Sequence, residues 1–155
     1  MTFLERLCST LNQQKLDYAL VGGHAVALYG AVRGTVDVDF VIRWSHKCLK
    51  ATEATLNSIG LVSRLPINAD DVFHFRDEYI KERNLIAWNF YNPQNLMEQV
   101  DIVINYQLKP NSIKVIRVGN TDIPLINIKQ LIKMKSAAGR PQDLQDIAAL
   151  EKIRK

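Results

Sequence analysis

Two aspartates interrupt an apolar run, Val-Asp-Val-Asp-Phe-Val-Ile, at residues 36–42. In an extended strand alternate side chains share a face, so Asp37 and Asp39 would project side by side from a sheet. Two such carboxylates repel each other and lose hydration, which is costly unless positive charge neutralises them. Adjacent oxygen ligands on a strand suit Mg²⁺ that also carries substrate phosphates. A structural ion pair with Arg33 or Arg43 is the alternative.

A third acid, Asp101, lies in a second apolar run at residues 100–106. If the two runs form neighbouring strands, its carboxylate converges with those of Asp37 and Asp39. Two or three such carboxylates can hold divalent cations that bridge the phosphates of a nucleotide and stabilise in-line displacement. The alternative is that Asp101 lies on an edge strand and faces water.

A glycine pair, Gly22-Gly23, ends the apolar segment at residues 16–21 and precedes a short amphipathic segment. Where a strand turns into a helix, the missing side chains let backbone N–H groups approach an anion closely. The pair therefore favours a phosphate-binding turn, and a simple tight turn is the alternative. His24, directly after the pair, fits the start of a helix better than it fits a catalytic base.

Composition and length are those of one globular domain spanning residues 1–155, since 47% of the residues are hydrophobic and 23% are charged. No apolar run approaches the ~20 residues that a bilayer span needs, and the first residues lack the layout of a signal peptide. The two cysteines, Cys8 and Cys48, have no metal-site spacing. We therefore expect reduced thiols and a cytoplasmic location without membrane association.

The formal net charge of +4 is unevenly distributed. Residues 107–155 carry ten basic and four acidic side chains, a formal charge of +6, so residues 1–106 carry −2. A basic C-terminal third suits a phosphate-bearing partner, either a nucleotide or RNA. A solvated, lysine-rich face is the alternative.

Hydrophobic periodicity and capping residues predict one α+β domain that begins with the order helix, strand, helix, strand, helix. The paired aspartates fall in a strand over residues 36–44, and Ser45 is the expected N-cap of the next helix. A hairpin is expected around residues 119–122, whereas no clear periodicity marks residues 69–81. The other predicted elements are helices at 3–11, 25–29, 45–58, 128–138 and 141–153, and strands at 16–21, 61–65, 84–91, 100–106, 113–118 and 123–126.

Taken in order, these segments resemble the polymerase-beta-like nucleotidyltransferase superfamily, in particular its small bacterial members, the minimal nucleotidyltransferases and the abortive-infection toxins. The motifs are Leu-Val-Gly-Gly-His-Ala at 20–25, Arg-Gly-Thr at 33–35, Asp-Val-Asp at 37–39, Val-Asp-Ile-Val at 100–103, and a lysine, arginine and aspartate motif at 131–147. The resemblance covers roughly residues 15–150. It implies a mixed central β-sheet flanked by helices, with two C-terminal helices.

The resemblance also implies an enzyme that uses Mg²⁺, two ions in all, to transfer a nucleoside monophosphate from an NTP to an acceptor hydroxyl. Asp37 and Asp39 correspond to the metal ligands, and Asp101 to a third acid that completes the metal site or helps to deprotonate the hydroxyl. Asp143 and Asp146 match acids that cap or orient the closing helices. The positions that correspond to nucleotide-binding residues are Gly22, Gly23, Arg33, Thr35, Lys135 and Arg140.

Some of these correspondences leave alternatives open. Arg33 equally fits a charged residue at a helix C-terminus. Many members of the superfamily have a serine where this chain has Gly23, so one hydroxyl contact to phosphate is lost. The alternative function is therefore a catalytically degenerate protein that binds nucleotide or RNA, or one component of a toxin–antitoxin pair. The sequence leaves open whether the acceptor is tRNA, protein or a small molecule, and whether a second copy or another protein helps to bind it.

Overall fold

A seven-stranded mixed sheet organises residues 1–154, the part of the chain that the structure, a computed structural model, describes. The strands are β1 (Tyr18–Val21), β2 (Val38–Ile42), β3 (Val62–Ser63), β4 (Ala87–Asn92), β5 (Asn95–Val103), β6 (Ile113–Val118) and β7 (Thr121–Ile126). The helices are α1 (Phe3–Gln13), α2 (Gly22–Leu28), α3 (His46–Ser58), α4 (Ala69–His74), α5 (Arg76–Arg83), α6 (Ile128–Ala138) and α7 (Pro141–Arg154). The sheet order is β3-β4-β5-β2-β1-β7-β6, which confirms the predicted α+β class with a mixed central sheet and two C-terminal helices.

Local capping explains where several helices begin and end. Ser45 caps α3 as predicted, because its side chain accepts a hydrogen bond of 3.0 Å from the backbone N–H of Cys48. Gly139 ends α6 in the left-handed conformation, with a φ of +65°, and Pro141 begins α7. Among residues 1–154, no helix combines the length and the apolar character that crossing a membrane requires.

The register of four strands aligns one row of residues across the middle of the sheet. Asp39 of β2 lies opposite Val21 of the antiparallel strand β1 and opposite Asp101 of the parallel strand β5. Asp101 in turn lies opposite Asn89 of β4. Strands β2 and β5 are therefore neighbours. This is the arrangement under which Asp101 was expected to lie close to Asp39.

The opposite face of the same four strands belongs to the hydrophobic core. Leu20, Phe40, Trp88 and Ile102, each next in sequence to a residue of the row, are completely buried. They lie on the other face because side chains alternate along a strand. Burial of a large apolar side chain stabilises a fold by about 1.5–3 kcal/mol. The row that contains Asp39 and Asp101 is thus backed by the packed core.

Six of the seven strands differ from their predicted bounds, all but β6, and the differences in β2 and β5 affect the acids. Strand β2 begins at Val38 rather than residue 36, because β1 ends at Val21, the partner of Asp39, and leaves the preceding residues without a β1 neighbour. Asp37 therefore lies in a bend just before the strand. Strand β5 spans Asn95–Val103 rather than residues 100–106, because its hairpin with β4 extends the ladder toward the turn.

Candidate active site

An acidic cluster at this row of the sheet consists of Asp37, Asp39 and Asp101. Asp39 and Asp101 occupy paired positions on β2 and β5, and Asp37 precedes Asp39 by two residues. Burial, followed by the charge and hydrogen bond of Asp101, raises the pKa of Asp39 to about 7. Burial and the charge of Asp101 also raise the pKa of Asp37. The three acids therefore interact electrostatically, as expected from neighbouring strands.

The structural alternatives for these acids are wrong. Arg33 Nε lies 3.1 Å from Asp146 Oδ1, and Arg43 Nη1 lies 3.8 Å from Asp17 Oδ2. Both arginines that were considered as partners of the paired aspartates thus form their ion pairs elsewhere. Asp101 is not on an edge strand either, because β5 lies between β4 and β2.

Gly22 and Gly23 leave room for neighbouring side chains at the start of α2. Gly22 has a φ of +69°, and a Cβ at this position would overlap with the Asp39 carboxylate. A Cβ at Gly23 would lie 2.8 Å from the Cβ of Thr35. Both glycines are therefore required by the packing of the site itself. Their contact with a phosphate stays a prediction.

A cleft of about 400 Å³ opens between this face of the sheet and α6. Asp39 lies on the sheet side of the cleft, and Lys135, Arg140 and Asp143 contribute the other charged groups. The remaining lining is mainly apolar and consists of Val21, Gly22, Ile86, Val103, Asn105, Tyr106, Leu131, Met134, Ala137 and Ala138. The cleft thus joins two carboxylates, two basic groups and an apolar wall.

The predicted nucleotide-binding residues divide into two groups. Gly22, Lys135 and Arg140 line the cleft, whereas Arg33 and Thr35 lie outside it with Gly23. Arg33 is tied to α7 through its ion pair of 3.1 Å. The Thr35 hydroxyl makes a long contact of 3.5 Å with the backbone carbonyl of Asp37. The structure therefore brings only half of the predicted set to one cavity.

Lys135 lies buried between two carboxylates of α7, with Nζ 2.9 Å from Asp146 Oδ2 and 3.5 Å from Asp143 Oδ1. Burial opposes ionisation, yet hydrogen bonds from Arg140 lower the pKa of Asp143, and the contact with Lys135 lowers that of Asp146. Asp143 also accepts a hydrogen bond of 3.1 Å from the Arg140 backbone N–H, which confirms that it caps the last helix. Lys135 thus joins α6 to α7, and its charge partly offsets the raised pKa of Asp39.

Comparison with known proteins identifies the fold. No protein-family model matches the chain, and a search of the curated proteins finds no match either.

Solved structures do match this chain. The lincosamide antibiotic adenylyltransferase LnuA, with lincomycin bound, has a TM-score of 0.67 at 16% identity, over 97% of this chain and 96% of that chain. The antibiotic-resistance factor ANT(2'')-Ia has a TM-score of 0.63 at 10% identity, over 98% and 85%. An antigenic nucleotidyltransferase-like protein from Paracoccidioides brasiliensis has a TM-score of 0.60 at 18% identity, over 94% and 72%. The chain has the nucleotidyltransferase fold.

Two residues that the sequence did not single out adjoin the acids of this nucleotidyltransferase fold, Asn89 by direct contact and Arg64 through Asn89. Asn89 Nδ2 donates a hydrogen bond of 2.8 Å to Asp101 Oδ1, and Arg64 Nε donates one of 2.7 Å to Asn89 Oδ1. The charge of Arg64 also opposes the rise in the pKa of Asp37. Asn89 is a polar residue between two aromatic neighbours in its strand, and this pattern only weakly indicates a functional residue. Nothing in the sequence indicates a functional role for Arg64, because its position depends on the pairing of β3 with β4.

The donor set fits a divalent cation, although it does not form a complete cage. Carboxylate oxygens are the hard ligands that Mg²⁺ prefers. Within residues 1–154, no three His, Cys, Asp or Glu side chains are arranged to ligate one ion. Mg²⁺ is usually held by one or two carboxylates together with substrate phosphates rather than by protein alone. Asp39 and Asp101 supply such a pair, of which Asp39 lines the cleft and Asp101 lies beside it on the next strand.

Proposed function

We propose that this protein transfers a nucleoside monophosphate from an NTP to an acceptor hydroxyl and releases pyrophosphate. Two Mg²⁺ ions would be held at Asp37, Asp39 and Asp101. The observation that carries the proposal is the paired position of Asp39 and Asp101 beside the cleft, where burial and repulsion raise the pKa of Asp39 to about 7. Such a pair is costly alone and suits a cation that also binds phosphates. The adenylyltransferases among the proteins of this fold support the same activity.

Magnesium, when bound, would neutralise the triphosphate charge that develops during in-line displacement. Asp37, Asp39 and Asp101 would hold it, and Asp101 would also accept the proton of the acceptor hydroxyl. Arg140 would bind phosphate oxygens, because its side chain is 74% exposed and lines the cleft. Lys135 is buried in its ion pairs and would moderate the charge of Asp39 rather than bind the substrate.

The other predicted nucleotide-binding residues would act around the start of α2. Gly22 and Gly23 would offer backbone N–H groups to the phosphates, because they form the first turn of α2. Arg33 and Thr35 would act indirectly. Arg33 anchors the segment before β2 to Asp146 of α7, and Thr35 packs against Gly23.

The cleft and the likeness to known structures each favour one of the two substrates. The apolar wall of the cleft, which includes Tyr106, Leu131 and Met134, would take the nucleoside. We favour a small-molecule acceptor over tRNA or protein, because this chain matches 96% of LnuA, which is a lincosamide antibiotic adenylyltransferase. By the same comparison, ATP is the favoured NTP.

The test incubates the purified protein with Mg²⁺ and each NTP labelled at the α-phosphate. Separate reactions contain a panel of hydroxyl-bearing antibiotics, tRNA, or cell lysate. We expect the wild type to label an acceptor, and Asp39→Asn to lose at least about a hundredfold in rate because an electrostatic group at the reacting phosphate is removed. Asp122→Asn, an exposed acid of the β6–β7 hairpin, is the matched control and should keep wild-type activity.

Two outcomes would overturn the proposal. Labelling by Asp39→Asn and Asp37→Asn at the wild-type rate would show that the acidic cluster is not catalytic. Calorimetric binding of NTP by the wild type without transfer to any acceptor would favour the alternative, a nucleotide- or RNA-binding protein or a toxin–antitoxin component.

A further inference from the structure

Asp101 is held by a chain of hydrogen bonds that begins outside the acidic cluster. On the neighbouring strand, Asn89 Nδ2 donates to Asp101 Oδ1 at 2.8 Å, with a longer contact of 3.4 Å to the carbonyl of Val100. Asn89 and Asp101 are register partners, and both are half-buried. Limited access of water strengthens such a bond. One oxygen of the Asp101 carboxylate is therefore fixed.

Arg64 determines which way the Asn89 amide faces. Its Nε donates a hydrogen bond of 2.7 Å to Asn89 Oδ1. A guanidinium has only donors and an ionised carboxylate has only acceptors. The amide must therefore turn its oxygen to Arg64 and its nitrogen to Asp101. The chain of hydrogen bonds runs in one direction, from Arg64 through Asn89 to Asp101.

Arg64 is itself held in place although it is exposed to solvent. Its guanidinium carbon lies 4.4 Å from the centroid of the Tyr91 ring, and its Nη2 contacts Gln99 Oε1 at 3.4 Å. Its backbone N–H donates to the carbonyl of Asn89 at 3.0 Å. Ordering a long side chain costs conformational entropy. These contacts offset that cost at a residue whose head group adjoins the acidic cluster.

We propose that Asn89 and Arg64 are positioning residues that hold the Asp101 carboxylate in its metal-binding orientation. The inference rests on the proposed function, because it requires Asp101 to bind a cation together with Asp39. Without the Asn89 donor, the Asp101 carboxylate is free to rotate and the cation loses a fixed ligand. Removal of groups that orient metal ligands typically weakens metal binding by about 10–100-fold.

The first experiment compares Asn89→Ala with Asn92→Ala. Asn92 lies on the same strand, and its Nδ2 donates at 2.9 Å to Glu98 rather than to the acidic cluster. Mn²⁺ binding is measured by EPR titration in the presence of the methylene analogue of ATP, and thermal unfolding monitors the fold. We expect Asn89→Ala to weaken Mn²⁺ binding about tenfold or more, whereas Asn92→Ala keeps wild-type affinity. Wild-type affinity in a folded Asn89→Ala would overturn the inference.

A second experiment tests the order of the chain with Arg64→Met and the double variant Asn89→Ala/Arg64→Met. If Arg64 acts through Asn89, Arg64→Met weakens Mn²⁺ binding, and the double variant binds no more weakly than Asn89→Ala alone. Additive losses would contradict this order, because they would mean that Arg64 acts on the cation site separately. Arg64 is exposed, so Arg64→Met should fold normally and keep the role testable if Asn89→Ala does not fold.

The Mn²⁺ titrations distinguish a failure of the proposed function from a failure of the positioning role. A wild-type protein that binds no Mn²⁺ with the nucleotide analogue would refute the proposed function, and the positioning role with it. Wild-type binding that Asn89→Ala and Arg64→Met both leave unchanged would refute the positioning role alone.

Discussion

Asp39 and Asp101 face each other in register across the parallel strands β2 and β5. Burial of Asp39 and the charge of Asp101 raise the pKa of Asp39 to about 7. Without a cation, part of the Asp39 population therefore holds a proton at neutral pH, and a bound metal would displace it. Stability, pH and cation binding are thus linked at this pair.

Asp39→Asn is expected to make the metal-free protein more stable at mildly alkaline pH while it abolishes activity. A carboxyl whose pKa is raised by folding stabilises the fold below its unfolded pKa of about 4, and this contribution is lost as the pH rises through the folded pKa of about 7. Asparagine removes that titration. At a pH above about 7, the free energy of unfolding of Asp39→Asn should exceed that of the wild type by roughly 2–4 kcal/mol, at about 1.4 kcal/mol per pKa unit. Urea unfolding in EDTA measures this difference.

The pH dependence of stability in the wild type includes a contribution from His24. The difference between Asp39→Asn and the wild type is therefore more informative than the wild-type profile alone. Burial lowers the pKa of His24, so this residue adds stability as the pH rises through about 6.5, with the opposite sign to Asp39. Subtracting the wild-type profile from that of Asp39→Asn removes the contribution of His24 and leaves that of Asp39 with the acids coupled to it. Asp122→Asn should leave the profile within about 0.5 kcal/mol of the wild type. A lower stability of Asp39→Asn at every pH would contradict the expected effect.

Gly22→Ala should be far more damaging than Gly139→Ala. Both glycines have left-handed backbones, with φ values of +69° and +65°. A Cβ at Gly139 meets nothing closer than 3.7 Å, whereas one at Gly22 overlaps the Asp39 carboxylate. We expect about 1 kcal/mol of destabilisation for Gly139→Ala from backbone strain and roughly 2–4 kcal/mol for Gly22→Ala, with loss of nucleotide transfer. Equal unfolding free energies for the two variants would mean that the Asp39 side chain moves aside without cost.

Features set by neighbouring residues were the ones that the sequence predicted well. The bounds of α6, the Ser45 cap and the β6–β7 hairpin were all confirmed, because capping and turn residues act locally. The spacing of Asp37 and Asp39 was visible for the same reason. The convergence of Asp101 was only conditional, since it depends on which strands become neighbours.

Contacts between distant residues could not be predicted in the same way. Arg64 and Asn89 are 25 residues apart, and their hydrogen bond follows from the joint register of β3, β4 and β5. The sequence likewise assigned Lys135 to the nucleotide without indicating that this lysine, unlike Lys133, is buried. The structure exposes Lys133 and buries Lys135 against α7. That difference arises from how α6 packs on α7, which periodicity along one helix does not specify.

Magnesium and nucleotide together are expected to stabilise the wild type more than either does alone. The carboxylates provide part of a coordination shell that the phosphates complete. At a hundredfold excess over Kd, binding adds about 2.7 kcal/mol, or about 5–10 °C in the thermal midpoint of a domain of this size. Asp39→Asn and Asp101→Asn should lose this shift, and EDTA should reverse it in the wild type. An equal shift with nucleotide in EDTA would contradict binding through a metal.

Lys135→Met is expected to destabilise the fold by about 3 kcal/mol or more, because it leaves Asp143 and Asp146 buried without their shared cation. Lys133→Met, two residues earlier on the exposed side of α6, is the matched control and should stay within about 0.5 kcal/mol of the wild type. Adding Asp146→Asn to Lys135→Met should recover part of the loss, since it removes one of the two buried charges that lose Lys135. Urea unfolding near neutral pH measures all three variants. A double variant less stable than Lys135→Met would show that Asp146 stabilises the helix pair through Arg33 instead.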